Sequence, residues 1–94
     1  MSMNRESAET LALRALGWLA AQEDLIGVFM GASGASAEDL RVQARDPEFL
    51  GAVLDFITMD DNWVVAFCEA EGLDYTAPMA ARQMLPGGAQ VHWT

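Results

Sequence analysis

The chain has 94 residues, enough for one domain with one modest core, and 52 % of them are hydrophobic, which excludes global disorder. It carries no Lys, five Arg and fourteen acidic residues, for a formal net charge of -9. From Asp46 to Asp74 there are eight acidic residues and no basic one, a block that repels phosphate backbones and anionic membrane surfaces. A single cysteine, Cys68, excludes an internal disulfide.

Taken in chain order, the pattern predicts a compact, all-α orthogonal bundle of five or six short helices. A single helical domain is expected over 1–94, with its ordered core at about 6–86 and a tail at 87–94. The first segment, MSMNRESAETLALRALGWLAAQ, is interrupted by Arg14 and lacks a processing site, so it reads as a helix rather than a signal peptide. No stretch reaches eighteen uncharged apolar residues, which predicts no membrane span, and the single cysteine with no export signal fits a reducing cytoplasm. The first helix is expected over Ser7–Ala21, with Ser7 as cap. Leu11, Ala15, Trp18 and Leu19 share one side, and Leu13, Leu16 and Ala20 widen it, which implies more than one neighbour. Gly17 would let another backbone approach.

A second helix is expected from Glu23 to Met30, ended by GASGAS. This Gly-rich run follows a helix and lacks any Gly-Lys-Ser/Thr framework, so a phosphate loop is not indicated. Ser36 and Asp39 form a capping box for a third helix to about Ala44, with Leu40 and Ala44 inward and Glu38 within reach of Arg41. Asp46-Pro47-Glu48 is the clearest helix start in the chain. In the fourth helix Phe49, Val53, Phe56 and Ile57 form a stripe flanked by Leu50 and Leu54, which predicts the most buried helix, at the centre of the bundle. Asp55 is expected to face outward; facing inward, it would need Arg14, Arg41, Arg45 or Arg82. Asp60 caps a fifth helix, Asp61–Glu71, closed by Gly72 and Leu73. Thr76 is expected to cap a sixth, weakly amphipathic helix ending near Leu85.

No reactive constellation emerges. Cys68 lies mid-helix in an apolar run, far from His92, the only histidine, and reads as a small buried hydrophobe. No catalytic, metal or cofactor residue is expected, and no cofactor. The acidic pairs Glu23-Asp24, Glu38-Asp39 and Asp60-Asp61 sit at helix starts, where negative charge is stabilising without any catalytic role.

The stretches LALRALGWLAAQEDLIGVFMGASG, DLRVQARDPEFLGAVLDFI and FCEAEGLD resemble a family of short, uncharacterised, mostly alphaproteobacterial all-helical proteins. The resemblance spans roughly Ala8 to Gly88, and its most distinctive piece is DPEFLGAVLDFI. It implies a compact helical cytoplasmic protein with no assigned activity, so it carries no functional residue over. In such proteins the Met59-Asp60-Asp61-Asn62 turn falls at a short acidic junction.

By subtraction, the leading expectation is a non-enzymatic protein-interaction or regulatory module with an acidic surface and a basic protein partner. Asp60, Asp61, Glu69, Glu71, Tyr75 and Trp93 are the candidate partner surface, aromatic rings beside carboxylates. The competing account is an ordinary solvated acidic face, with Trp63 in the core, Tyr75 at a helix junction and Trp93 anchoring the tail. One alternative is an acidic decoy of a nucleic-acid-binding protein. Another is a small enzyme or ligand binder whose cleft joins distant polar residues such as Asp55 and Arg82. The first helix and the VHW tail are the candidate surfaces for a homodimer.

Overall fold

A computed structural model describes residues 4–86; the tail at 87–94, with His92 and the candidate Trp93, lies outside the described residues. Six helices follow one another: α1 Arg5–Ala20, α2 Glu23–Ser33, α3 Ala37–Gln43, α4 Pro47–Ile57, α5 Asp61–Glu71 and α6 Ala77–Gln83. They form an orthogonal bundle with a radius of gyration of 12.3 Å. A globule of this chain length has about 12 Å, so the packing is compact.

Local chemistry sets most helix ends. Ser36 Oγ accepts from the Asp39 N–H while Asp39 Oδ2 accepts from the Ser36 N–H, a complete capping box. Asp46 Oδ1 accepts from the Glu48 N–H and Asp60 Oδ1 from the Asn62 N–H. Gly72 closes α5 in the left-handed region at φ 69°, and the Leu73 N–H reaches back to Cys68 O. Three ends depart from expectation. The cap of α1 is Asn4, whose Oδ1 accepts from the Ser7 N–H, so Ser7 is donor rather than cap. Helix α2 runs on through Gly31-Ala32-Ser33 and stops at Gly34, at φ 77°. Thr76 makes no side-chain cap; its N–H and hydroxyl both donate to Asp74 Oδ1 instead.

The core is one apolar cluster to which every helix but α3 contributes, and the half-buried Leu40 of α3 packs against it. Helix α4 is the most buried, with Phe49, Leu50, Val53, Leu54, Phe56 and Ile57 all inside. The hub, however, is α1, which packs against α2, α4, α5 and α6. Its buried side comprises Ala8, Leu11, Ala12, Ala15, Leu16 and Leu19. Leu13 and Ala20, expected to widen that side, are exposed, and no atom lies within 4 Å of where a Gly17 Cβ would stand, so no backbone approaches there. The periodicity of α1 fixes which residues share a side, but the neighbouring helices cover only part of its apolar circumference. An aromatic run ties α2, α4 and α5 together. Phe49 and Phe56 meet Phe29 edge-on at 5.9 and 5.3 Å, and Trp63 stacks on Phe56 at 4.9 Å.

Candidate functional site

Each of the fourteen carboxylates has a local occupation. Glu6, Glu23, Asp24, Glu38, Asp39, Glu48 and Asp61 lie in the first turns of five helices, and Asp46 and Asp60 are caps. There they complement the positive end of the helix dipole. Glu9, Asp55 and Glu71 form ion pairs, Glu69 accepts from Tyr75, and Asp74 accepts from Thr76. Much of the acidity that the composition advertises is therefore folding chemistry.

The expected partner residues divide accordingly. Asp60 is half-buried and spent on capping. Glu71 is held by Arg14, whose Nε donates to Glu71 Oε1 at 3.0 Å and whose Nη2 donates to Glu71 O at 3.1 Å. Asp61, Glu69 and Tyr75 remain exposed. On α5, Asp61, Val65 and Glu69 are spaced four apart and all reach solvent, so they form one row on its outer side. The two carboxylates stand about 12 Å apart along the axis at 1.5 Å per residue. Tyr75 extends the row, its hydroxyl donating to Glu69 Oε2 at 2.9 Å. Trp63 is half-buried against Phe56 and takes no part.

The Glu69 carboxylate, first by accepting the hydroxyl proton and then by its charge, raises the Tyr75 pKa above the ordinary 10.0. The folded chain thus holds this proton longer than the unfolded chain does. The associated stability is present below the unfolded value and is lost as pH rises through the folded one. Tyr75 is the only tyrosine, so its ultraviolet tyrosinate titration is unambiguous. The expected midpoint lies above that of the unfolded chain, and Glu69→Gln removes most of the difference. A midpoint unmoved by Glu69→Gln would show the pair does not form in solution.

Cys68 is fully buried, and its Sγ donates to Asp74 O at 3.4 Å. Burial, then the nearby Asp74 charge, pushes its thiol pKa up from 9.0. A nucleophile needs the opposite shift, so Cys68 is a packing residue. Among the described residues, no group of three or more His, Cys, Asp and Glu side chains is placed to hold a metal. No described helix is long and apolar enough to cross a membrane.

Asp55 and Arg82 come together, a pairing that sequence reasoning narrowed only to four arginines. Asp55 is exposed as expected, yet it receives both Arg82 Nε and Nη2, the latter at 3.0 Å to Oδ2. Arg82 Nη1 donates to Pro86 O at 3.1 Å, and the guanidinium lies on Gly51. The expected Glu38–Arg41 pair is not formed among the described residues.

The hollows are shallow grooves in the surface. One of about 450 Å³ is lined by Glu6, Ser7, Thr10, Leu11 and Arg14. One of about 210 Å³ runs over Phe29, Ala52, Phe56 and Met59 between α2 and α4. One of about 310 Å³ lies between α1 and α3.

The chain is thus a small all-helical bundle of six short helices. Residues 5–88 match the family model described as Protein of unknown function (DUF3572), and the chain belongs to that family. No curated protein and no solved structure matches it.

Proposed function

We propose that the chain is a non-enzymatic protein-interaction module of the bacterial cytoplasm whose outer α5 face receives a basic protein partner. The observation that carries this reading is the exposed row Asp61, Val65, Glu69 with Tyr75 at its end. Two carboxylates about two helical turns apart suit two Lys or Arg side chains on one side of a partner helix. Val65 supplies apolar contact between them, and the Tyr75 ring supplies a face for a cation. The same acidity disfavours direct nucleic-acid and membrane binding.

The alternatives draw less support. A decoy of nucleic acid needs an array of carboxylates along one face, whereas here they are spread over the first turns of five helices. A ligand site at Asp55 and Arg82 needs a guanidinium open to solvent, whereas the Arg82 side chain is largely buried and held through Nε, Nη1 and Nη2 within the chain.

The test is affinity capture from the native host at low salt, with the Asp61→Asn/Glu69→Gln variant beside the wild type. Asp60 and Glu71 are left alone because their changes would disturb a cap and an ion pair. A basic protein is expected to be retained by the wild type and released by salt. Its affinity for the double variant should be about tenfold lower, from the loss of two solvent-facing ion pairs of up to about 1 kcal/mol each. Equal retention by both proteins would refute the assignment of this face.

A further inference from the structure

The 310 Å³ groove between α1 and α3 is lined by Leu13, Leu16, Gly17 and Ala20 of α1, by Leu40 and Arg41 of α3 and by Ala44, which caps α3. Leu13 is 46 % exposed, in a helix whose opposite side already fills the core. A helix that is apolar on both sides is suited to burial on both. The groove's charge narrows what can cover it. Arg5, Arg14 and Arg82 each have a carboxylate within 4 Å, and among the described residues Arg41 and Arg45 have none. Of these two, Arg41 stands in the groove's lining, and Arg45 lies in the turn after α3. In a chain of net charge -9, a cation with no carboxylate partner among the described residues thus lines an uncovered apolar surface. The matching occupant is a helix whose apolar stripe continues into carboxylates.

The chain contains such a helix. On α1 the residues Glu6, Glu9, Leu13, Gly17 and Ala20 recur every three or four positions and so lie along one side. Glu6 is exposed and has no cationic partner among the described residues. An antiparallel crossing at Leu13 brings Glu6, seven residues before it, level with Ala20, seven after it, at the end of α1 that shares the groove with Arg41.

We propose that this groove is the interface of a two-fold homodimer, in which α1 of one copy crosses α1 of the other antiparallel. Leu13 meets its own copy at the axis, Gly17 lets the helices approach, and Glu6 of each copy reaches Arg41 of the other. An isologous interface makes every contact twice, so one ion pair contributes two. The repulsion between two acidic protomers is screened beyond about 8 Å at physiological ionic strength.

Sedimentation equilibrium of the full chain at high micromolar concentration and physiological salt tests this. The wild type is expected at twice 10.2 kDa. Leu13→Glu and Gly17→Glu are expected at the monomer mass with unchanged helical circular dichroism, since both positions are open to solvent. Arg41→Glu should weaken dimerisation about tenfold or more, through two lost pairs and two new repulsions. The charge-swapped Glu6→Arg/Arg41→Glu variant should recover most of that loss, which a merely structural role for Arg41 would not produce. A wild-type monomer overturns the proposal and leaves the groove to a foreign acidic helix. A dimer indifferent to both Leu13→Glu and Gly17→Glu, or a charge swap without recovery, overturns it as well.

Discussion

Replacing Phe29 by alanine is expected to cost about 3–5 kcal/mol, the largest effect of any substitution considered. Phe29 is the one fully buried residue of α2, 2 % exposed. Its ring meets Phe49 and Phe56 edge-on, and Phe56 in turn carries Trp63. Removing it opens a cavity and breaks two aromatic contacts worth about 0.5–1.5 kcal/mol each beyond their area. The rest of α2 offers little compensation: Leu25, Ile26 and Met30 are only half-buried, and Val28 is exposed. A domain of this size has a total stability of about 5–15 kcal/mol, so Phe29→Ala consumes a large share of it. Chemical denaturation is expected to give a much lower midpoint. Native-state hydrogen exchange should show α2 opening before α1 and α4, whose contacts with each other are intact. Uniform loss of protection across all helices would instead make α2 part of the same cooperative unit.

What was legible beforehand follows the range of the interactions. The Ser36–Asp39 box, the Asp46-Pro47 start, the Asp60 cap and the Gly72 stop each act within a few residues, and each stands where the residues imply. The stripe of α4 was equally plain, because Phe49, Val53, Phe56 and Ile57 repeat cleanly and are buried together. Where two local signals competed, sequence could not choose. Asn4 and Ser7 both suit a cap, and the outcome is Asn4 accepting from Ser7. Gly31 and Gly34 both suit a stop, and only Gly34 takes the left-handed conformation. Long-range facts were the least visible. The periodicity of α1 showed a broad apolar face but not that its neighbours leave Leu13 uncovered. The acidic composition suggested a large partner surface, yet Glu71 is held by an arginine 57 positions away and Asp60 is spent on its own helix. Of the candidate residues, the exposed Asp61, Glu69 and Tyr75 stand together beside Val65, and nothing short of the fold separates them from the rest.

Arg82→Ala is expected to cost about 1–3 kcal/mol, the range for losing charge-assisted hydrogen bonds together with packing. Its side chain is 11 % exposed and links α6 to α4 through Asp55 and to the chain beyond α6 through Pro86 O. Because Asp55 is 56 % exposed, solvent screens part of the pair, and the value belongs at the lower end of that range. Gly51 explains how the guanidinium fits. A Cβ there would stand 2.9 Å from Arg82 Nη1 and 3.2 Å from Cζ. In a helix interior alanine is ordinarily better than glycine by about 1 kcal/mol, so Gly51 persists against helix propensity. With Arg82 present, Gly51→Ala gains propensity but displaces a guanidinium held at both ends, and the net change is expected to be neutral or unfavourable. With Arg82 already replaced by alanine, nothing opposes the methyl but the Pro86 carbonyl at 3.4 Å, an ordinary contact, and Gly51→Ala should stabilise by about 1 kcal/mol. The double-mutant cycle therefore predicts a change of sign, with a coupling of about 1 kcal/mol or more between two residues that share no hydrogen bond. Equal effects of Gly51→Ala in the two backgrounds would mean that the guanidinium does not rest on Gly51, and that α4 and α6 are joined by apolar packing alone.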